Sequence, residues 1–318
     1  MTAATLAAPT LESVEARLRD ELARGDAMVS TAKPILRHLV LNDDQALFSD
    51  EVVARVRGML SEVARQLLHA QAEAARIGDR AAFVAERAAG LAEALADEPA
   101  FLAHLHALTL EGSLALNLQA RSNLDPVLCP LLQDLVASRD DAIASSAMAV
   151  LAAQARFIQH HRRMALPLGE LPGDLFQAAL LALRATAGER EDAAVAAERA
   201  LRDAFEVGRG RLALIARLVT RMDRTAPRAL DVGHAGLAIF ATALAMASGQ
   251  VRDSAVLAFS DRQIGRLALA MRAAGLKQAA VEEQFLQLHP DVALPDGFDM
   301  LSADRAALLL AAADPRIT

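Results

Sequence analysis

The sequence predicts an all-α fold without sheet: an irregular array of short antiparallel helices, HEAT-like or bundle-like. Three observations predict it. Hydrophobic residues make up 54% of the 318 residues, and Ala and Leu, the strongest helix formers, supply much of that share. Strand-length runs of Val, Ile or Thr, and stretches that alternate apolar with polar residues, are almost absent. Residues that start and stop helices recur along the whole chain. A chain of this length makes one large domain or two smaller ones, with a core sizeable enough to need no covalent staples.

The elements follow in order. Thr10 caps a first helix that Gly25 ends, and Lys33-Pro34 lies in a second, short helical stretch, with proline in its first turn or at a kink. Ser49-Asp50-Glu51 starts a long helix in which Val52, Val56, Met59, Val63 and Leu67 form one apolar stripe. Ile77-Gly78 ends it and Asp79 caps the next. Asp97-Glu98-Pro99 begins a helix with Phe101, Leu105 and Leu108 on its apolar face. Asp125-Pro126 is a cap-and-proline start, and Asp140-Asp141 opens a helix that runs to about Met164. Residues 166–173 hold two Pro and two Gly, the clearest internal break. It separates an N-terminal helical region, 1–165, from a C-terminal helical-array region, 166–318, or else packs down as a joint within one continuous domain. Helices then follow near 174–187, 189–206, 209–224, 231–248, 252–258, 261–274 and 277–288, punctuated by Gly188, Gly208, Gly249 and Gly275, and Ser302 caps a last one. No Asp, Glu, Lys or Arg occurs from Val232 to Val251. The strongly apolar part, Ala235 to Ala247, is shorter than the ~20 residues that span a bilayer, so a buried core helix is expected and no membrane span.

Several function classes lose ground on composition. The chain has no Trp and no Tyr, and its ten aromatics are all Phe, which removes a base-stacking platform. With 40 acids against 33 bases the net charge is −7, so no nucleic-acid partner is expected. The one cysteine, Cys129, sits among apolar residues and permits neither an internal disulfide nor a cysteine metal cluster. The N-terminal residues lack a basic stretch, and a cytoplasmic protein is the expectation. The eight histidines show no metal-ligand spacing, and Gly208-Arg209-Gly210-Arg211 is neither a Walker loop nor a dinucleotide fingerprint. No metal, cofactor or catalytic residue is therefore expected.

Two basic clusters remain. Arg217, Arg221 and Arg224 lie four and three residues apart on one helical face, opposite Leu212, Ile215, Val219 and Met222. The window 199–228 holds eight Arg against three acids in an otherwise acidic chain. Such a face is either solvated surface or a partner-binding surface for an acidic or phosphorylated protein segment, since guanidinium forks match carboxylate and phosphate. His160, His161, Arg162 and Arg163 form a second cluster at a helix end, where the helix dipole favours positive charge and an anion contact is the functional alternative.

One stretch carries a family likeness. Leu237-Ala238-Ile239-Phe240-Ala241-Thr242-Ala243-Leu244-Ala245, then Gly249, Asp261-Arg262-Gln263-Ile264-Gly265-Arg266-Leu267-Ala268-Leu269 and Arg272-Ala273-Ala274-Gly275-Leu276 form a pattern of apolar spacing and glycines. Over about residues 205–290 it resembles a bacterial family of uncharacterised helical proteins with HEAT-like helix pairs. The resemblance implies stacked helix pairs and a bacterial cytoplasm, and no catalytic residues. The expected function is a protein-interaction or regulatory scaffold. Two alternatives stand beside it. One is an enzyme whose pocket gathers groups such as His104, His106, Glu111, His160 and His161 from distant helices. The other is a carrier of an apolar small molecule.

Overall fold

A computed structural model describes residues 10–41 and 50–313, with the side chains of residues 28–41 and of residue 224 also outside the described set. Among the described residues every regular element is helical, and no strand occurs. The helices are α1 (Leu11–Leu41), α2 (Asp50–Ala74), α3 (Arg80–Ala96), α4 (Pro99–Ser122), α5 (Pro130–Val136), α6 (Asp141–Arg163), α7 (Gly173–Ala185), α8 (Glu191–Ala204), α9 (Arg211–Arg221), α10 (Val232–Ser248), α11 (Arg252–Leu257), α12 (Ile264–Ala273), α13 (Gln278–Leu288) and α14 (Ala303–Ala312). Capping side chains set many of the starts. The carboxylate of Asp79 accepts the Ala82 N–H at 3.0 Å, and Asp140 accepts those of Ala142 and Ile143 at 2.9 and 3.2 Å. Thr10 accepts the Ser13 N–H and Ser302 that of Arg305. Gly188, Gly208, Gly249 and Gly275 all adopt positive φ between helices.

Three boundaries differ from expectation. Gly25 does not end α1, which continues to Leu41. Its lack of a side chain serves packing instead: a Cβ there would stand 3.0 Å from the Arg262 carbonyl oxygen. The backbone at Lys33-Pro34 belongs to this same helix, while those side chains, like Ser49, lie outside the described residues. Asp125-Pro126 starts no helix. Asp125 folds a turn by accepting the Val127 and Leu128 N–H groups, and α5 begins only at Pro130. Within α10, Gly236 (φ 69°, ψ 159°) breaks the helical path, a conformation that a side chain would exclude. A Cβ there would also press on Cys129 at 3.0 Å.

The apolar side chains form two clusters. One joins α2, α3, the first turns of α4, α7 and α8. The other joins α1, the remainder of α4, α5, α6 and α9 to α14 around α10. Both draw residues from either side of the break at 166–173, and Leu166, Leu168 and Leu171 of that segment are buried in the first cluster. The uncharged α10 is core, buried along most of its length. No helix among the described residues is long and apolar enough to cross a membrane. Helix α4 runs through both clusters, so the polar residues along it stand at their junction.

The end of α6 is wedged against α4 and α2 where glycines leave room. A Cβ on Gly112 would lie 2.3 Å from the His161 ring, and one on Gly58 would lie 2.7 Å from the Met164 Cβ. His161 is buried, with a cavity of only about 30 Å³ beside it. Gly112→Ala should therefore destabilise the fold by at least about 1–3 kcal/mol, the usual range for overpacking. Combined with His161→Ala, the loss measured by urea unfolding should fall well short of the sum of the single losses. Strict additivity would show that the two groups do not meet.

Candidate functional site

Glu111 occupies a core position. The apolar stripe of α4 leads through Phe101, Leu105 and Leu108 directly into it, and Glu111 is 1% exposed. Such burial demands positive partners. Arg211, in the first turn of α9, supplies a forked contact, with Nη1 donating to Oε1 at 2.6 Å and Nη2 to Oε2 at 2.9 Å. Arg252, in the first turn of α11, supplies a second fork, with Nη1 donating to Oε2 and Nη2 to Oε1, both at 2.9 Å. The remaining donors are also held. Arg211 Nη1 reaches Gln154 Oε1 at 3.1 Å, and its guanidinium lies 3.7 Å over the Phe157 ring. Its backbone N–H donates to Glu170 Oε2 at 2.7 Å, and Arg252 Nε donates to Thr242 Oγ1 at 2.9 Å. A second link lies alongside. Asp253, next to Arg252, contacts Nδ1 of the buried His104 at 2.8 Å. Residues seven apart on α4 are thus matched by consecutive residues of α11.

Burial alone would raise the Glu111 pKa, but the charges and hydrogen bonds of Arg211 and Arg252 outweigh it and hold the carboxyl well below its usual range. Glu111 is thus a permanent anion with its lone pairs spent, which suits it to joining helices and not to proton transfer. His161 and His106 behave oppositely. Burial, aided at His161 by the nearby Arg55 cation, pushes both imidazoles down to about 4, so each is neutral at pH 7.

The cluster at residues 160–163 divides. His161 turns inward as a neutral ring, His160 is half-buried, and Arg162 and Arg163 are exposed. His160 and His161 line a cavity of about 30 Å³ with Arg211, Glu170 and Phe157, among others. That volume admits about two water molecules. Among the described residues no group of three or more His, Cys, Asp or Glu side chains is arranged to hold a metal ion. Cys129 is buried at the start of α5, and burial pushes its thiol up to about 11.

Arg217 and Arg221 are both exposed on α9. Arg217 donates to the Gly208 carbonyl at 2.6 Å, and Arg221 to the Ala142 carbonyl and the Ser146 hydroxyl of α6. The acceptors are neutral in every case, whereas Arg209 just upstream pairs with Glu206 at 2.6 Å. Arg224 falls in the 3-10 turn Asp223–Leu230, and its side chain lies outside the described residues. The triad of Glu111, Arg211 and Arg252 went unread in the sequence. Its signals were a carboxylate continuing an apolar stripe and arginines in the first turns of two helices, where the helix dipole disfavours positive charge.

Removing the anion would leave the buried Arg211 and the half-buried Arg252 guanidiniums unmatched. Glu111→Gln should cost about 3–5 kcal/mol in urea unfolding, and replacing Glu111, Arg211 and Arg252 together by apolar residues should recover much of it. A cost of the single change below about 1 kcal/mol would show the triad is not closed. Acid acts in two windows. His106 and His161 resist protonation when folded, so stability should fall as pH drops from 6.5 toward about 4. Glu111, with its folded pKa depressed, adds a further fall below about 4.5 that Glu111→Gln should abolish.

No protein-family model, curated protein or solved structure matches the chain.

Proposed function

We propose that the protein is an interaction module that docks an acidic protein segment, carboxylate- or phosphate-bearing, on the exposed face of α9. The observation that carries this reading is the state of Arg217 and Arg221: exposed, one turn apart, and engaged only by neutral oxygens. Their forks are positioned without being neutralised, so an incoming carboxylate or phosphate gains charge-assisted bonds without displacing an ion pair. On this reading the protein acts in the cytoplasm and needs no cofactor. The HEAT-like likeness of residues 205–290 fits it, since stacked helix pairs present extended binding surfaces.

The cavities beside His161 and beside the kink of α10 give less support to the alternatives. The cavity beside His160 and His161 is about 30 Å³, and the one beside the kink of α10 about 20 Å³. Both are far below the ~300 Å³ at which small-molecule sites begin.

The test is binding of a fluorescent acidic peptide, followed by anisotropy at low salt, to the wild type and to Arg217→Glu/Arg221→Glu. The wild type should bind with an affinity that declines as salt rises. The variant should bind at least about tenfold more weakly while losing no more than about 1 kcal/mol of stability. Equal binding by the folded variant would refute the docking face.

A further inference from the structure

A groove of about 370 Å³ lies between α1, the start of α12 and the loop at residues 292–295, within the size range of small-ligand sites. Its apolar lining comes from Leu18, Ile264, Ala268, Val292, Leu294 and Pro295. Its charged lining comes from Arg17, Arg24, Arg262, Glu21 and Asp261, an excess of one positive charge.

Those charges are unequally occupied. Arg17 pairs with Glu21 at 3.5 Å, and Asp261 accepts from the buried His289 Nδ1 at 3.1 Å. Arg24 makes only a bond to the Asp20 carbonyl, at 3.1 Å, and Arg262 makes no side-chain hydrogen bond or ion pair among the described residues. Both are exposed. The N-terminus of α12 lies at the same place, with the Glu21 side chain packed over it: a Cβ on Gly265 would stand 3.0 Å from the Glu21 Cβ and 3.3 Å from its Oε2. Gln263 forms no side-chain cap, and the first amides of the helix, at the groove-lining Ile264 and Gly265, have no acceptor among the described residues. Gln263 itself does not line the groove: it is buried against Gly25 of α1, with neither Oε1 nor Nε2 partnered.

We infer that this groove is a binding site for a small amphipathic oxyanion, a medium-chain apolar body with one carboxylate or phosphate head. Arg24 and Arg262 receive the head, and the apolar lining takes the chain. Neither half suffices alone. A bare anion leaves the apolar lining wet, and a neutral amphiphile leaves the guanidiniums unmatched. The inference is independent of the α9 reading, because no residue is shared.

The experiment is calorimetric titration of the whole protein with octanoate, octyl phosphate, octyl glucoside and inorganic phosphate, repeated on Arg24→Ala/Arg262→Ala. Neither arginine has a carboxylate partner, so the variant should melt with the wild type. The expected result is saturable 1:1 binding of octanoate or octyl phosphate, the tighter of the two naming the head group. Octyl glucoside, inorganic phosphate and the variant should each bind at least about tenfold more weakly. Absence of saturable binding by both anions, equal binding of octyl glucoside, or undiminished binding by the folded variant would each overturn the site.

Discussion

A carboxylate buried where water cannot reach it must be neutralised by the protein, and that requirement at Glu111 organises the centre of this molecule. Two guanidiniums meet it, one from α9 and one from α11, each with both donors of its fork. The contact constrains direction as well as distance. A fork aligned on a carboxylate fixes rotation about the approach axis, which apolar packing leaves loose. The triad ties α9 and α11 of one apolar cluster to α4, the helix that passes through both.

The energetic consequence is more about uniqueness than about stability. Desolvating three charges costs about what their attraction returns, so such a centre is a poor source of net stability. A displaced helix, however, would strand a guanidinium in an apolar interior, and that penalty is large. Misregistered packings of α9 or α11 against α4 are thereby disfavoured. The polar atoms around the triad extend the same logic. Gln154, Thr242 and Glu170 take up donors of Arg211 and Arg252 that Glu111 cannot reach.

The helices were legible in the sequence because their signals are local. Asp79, Asp140 and Ser302 cap from within three residues, and the stripe of α2 repeats every three or four. The misread positions are those where a distant contact decides. Gly25 looks like a helix end, but its small size serves α12, more than two hundred residues later in the chain. Asp125 is a local exception: its carboxylate folds a turn, and α5 begins only at Pro130. The break at Gly236 answers to Cys129. The spacing of Arg217, Arg221 and Arg224 predicts one helical face, but α9 ends at Arg221 and Arg224 lies in the following turn, Asp223–Leu230. The bonds of Glu111 span 100 and 141 residues, and no periodicity reports on separations of that kind.

The chain carries only two lysines, Lys33 and Lys277, a bias that composition alone does not interpret. At the triad the choice of arginine has a structural consequence. Arg252 binds both oxygens of Glu111 and, through Nε, the Thr242 hydroxyl. A lysine ammonium is one point at the end of a flexible stem and cannot hold that planar three-way geometry. It would also ask for more hydration than this interior supplies. The same distinction applies in reverse at the exposed face of α9. There Arg217 and Arg221 each spend one nitrogen on neutral oxygens while their side chains stay exposed. A guanidinium, unlike an ammonium, can be anchored and still present a directed, bidentate surface to an anion.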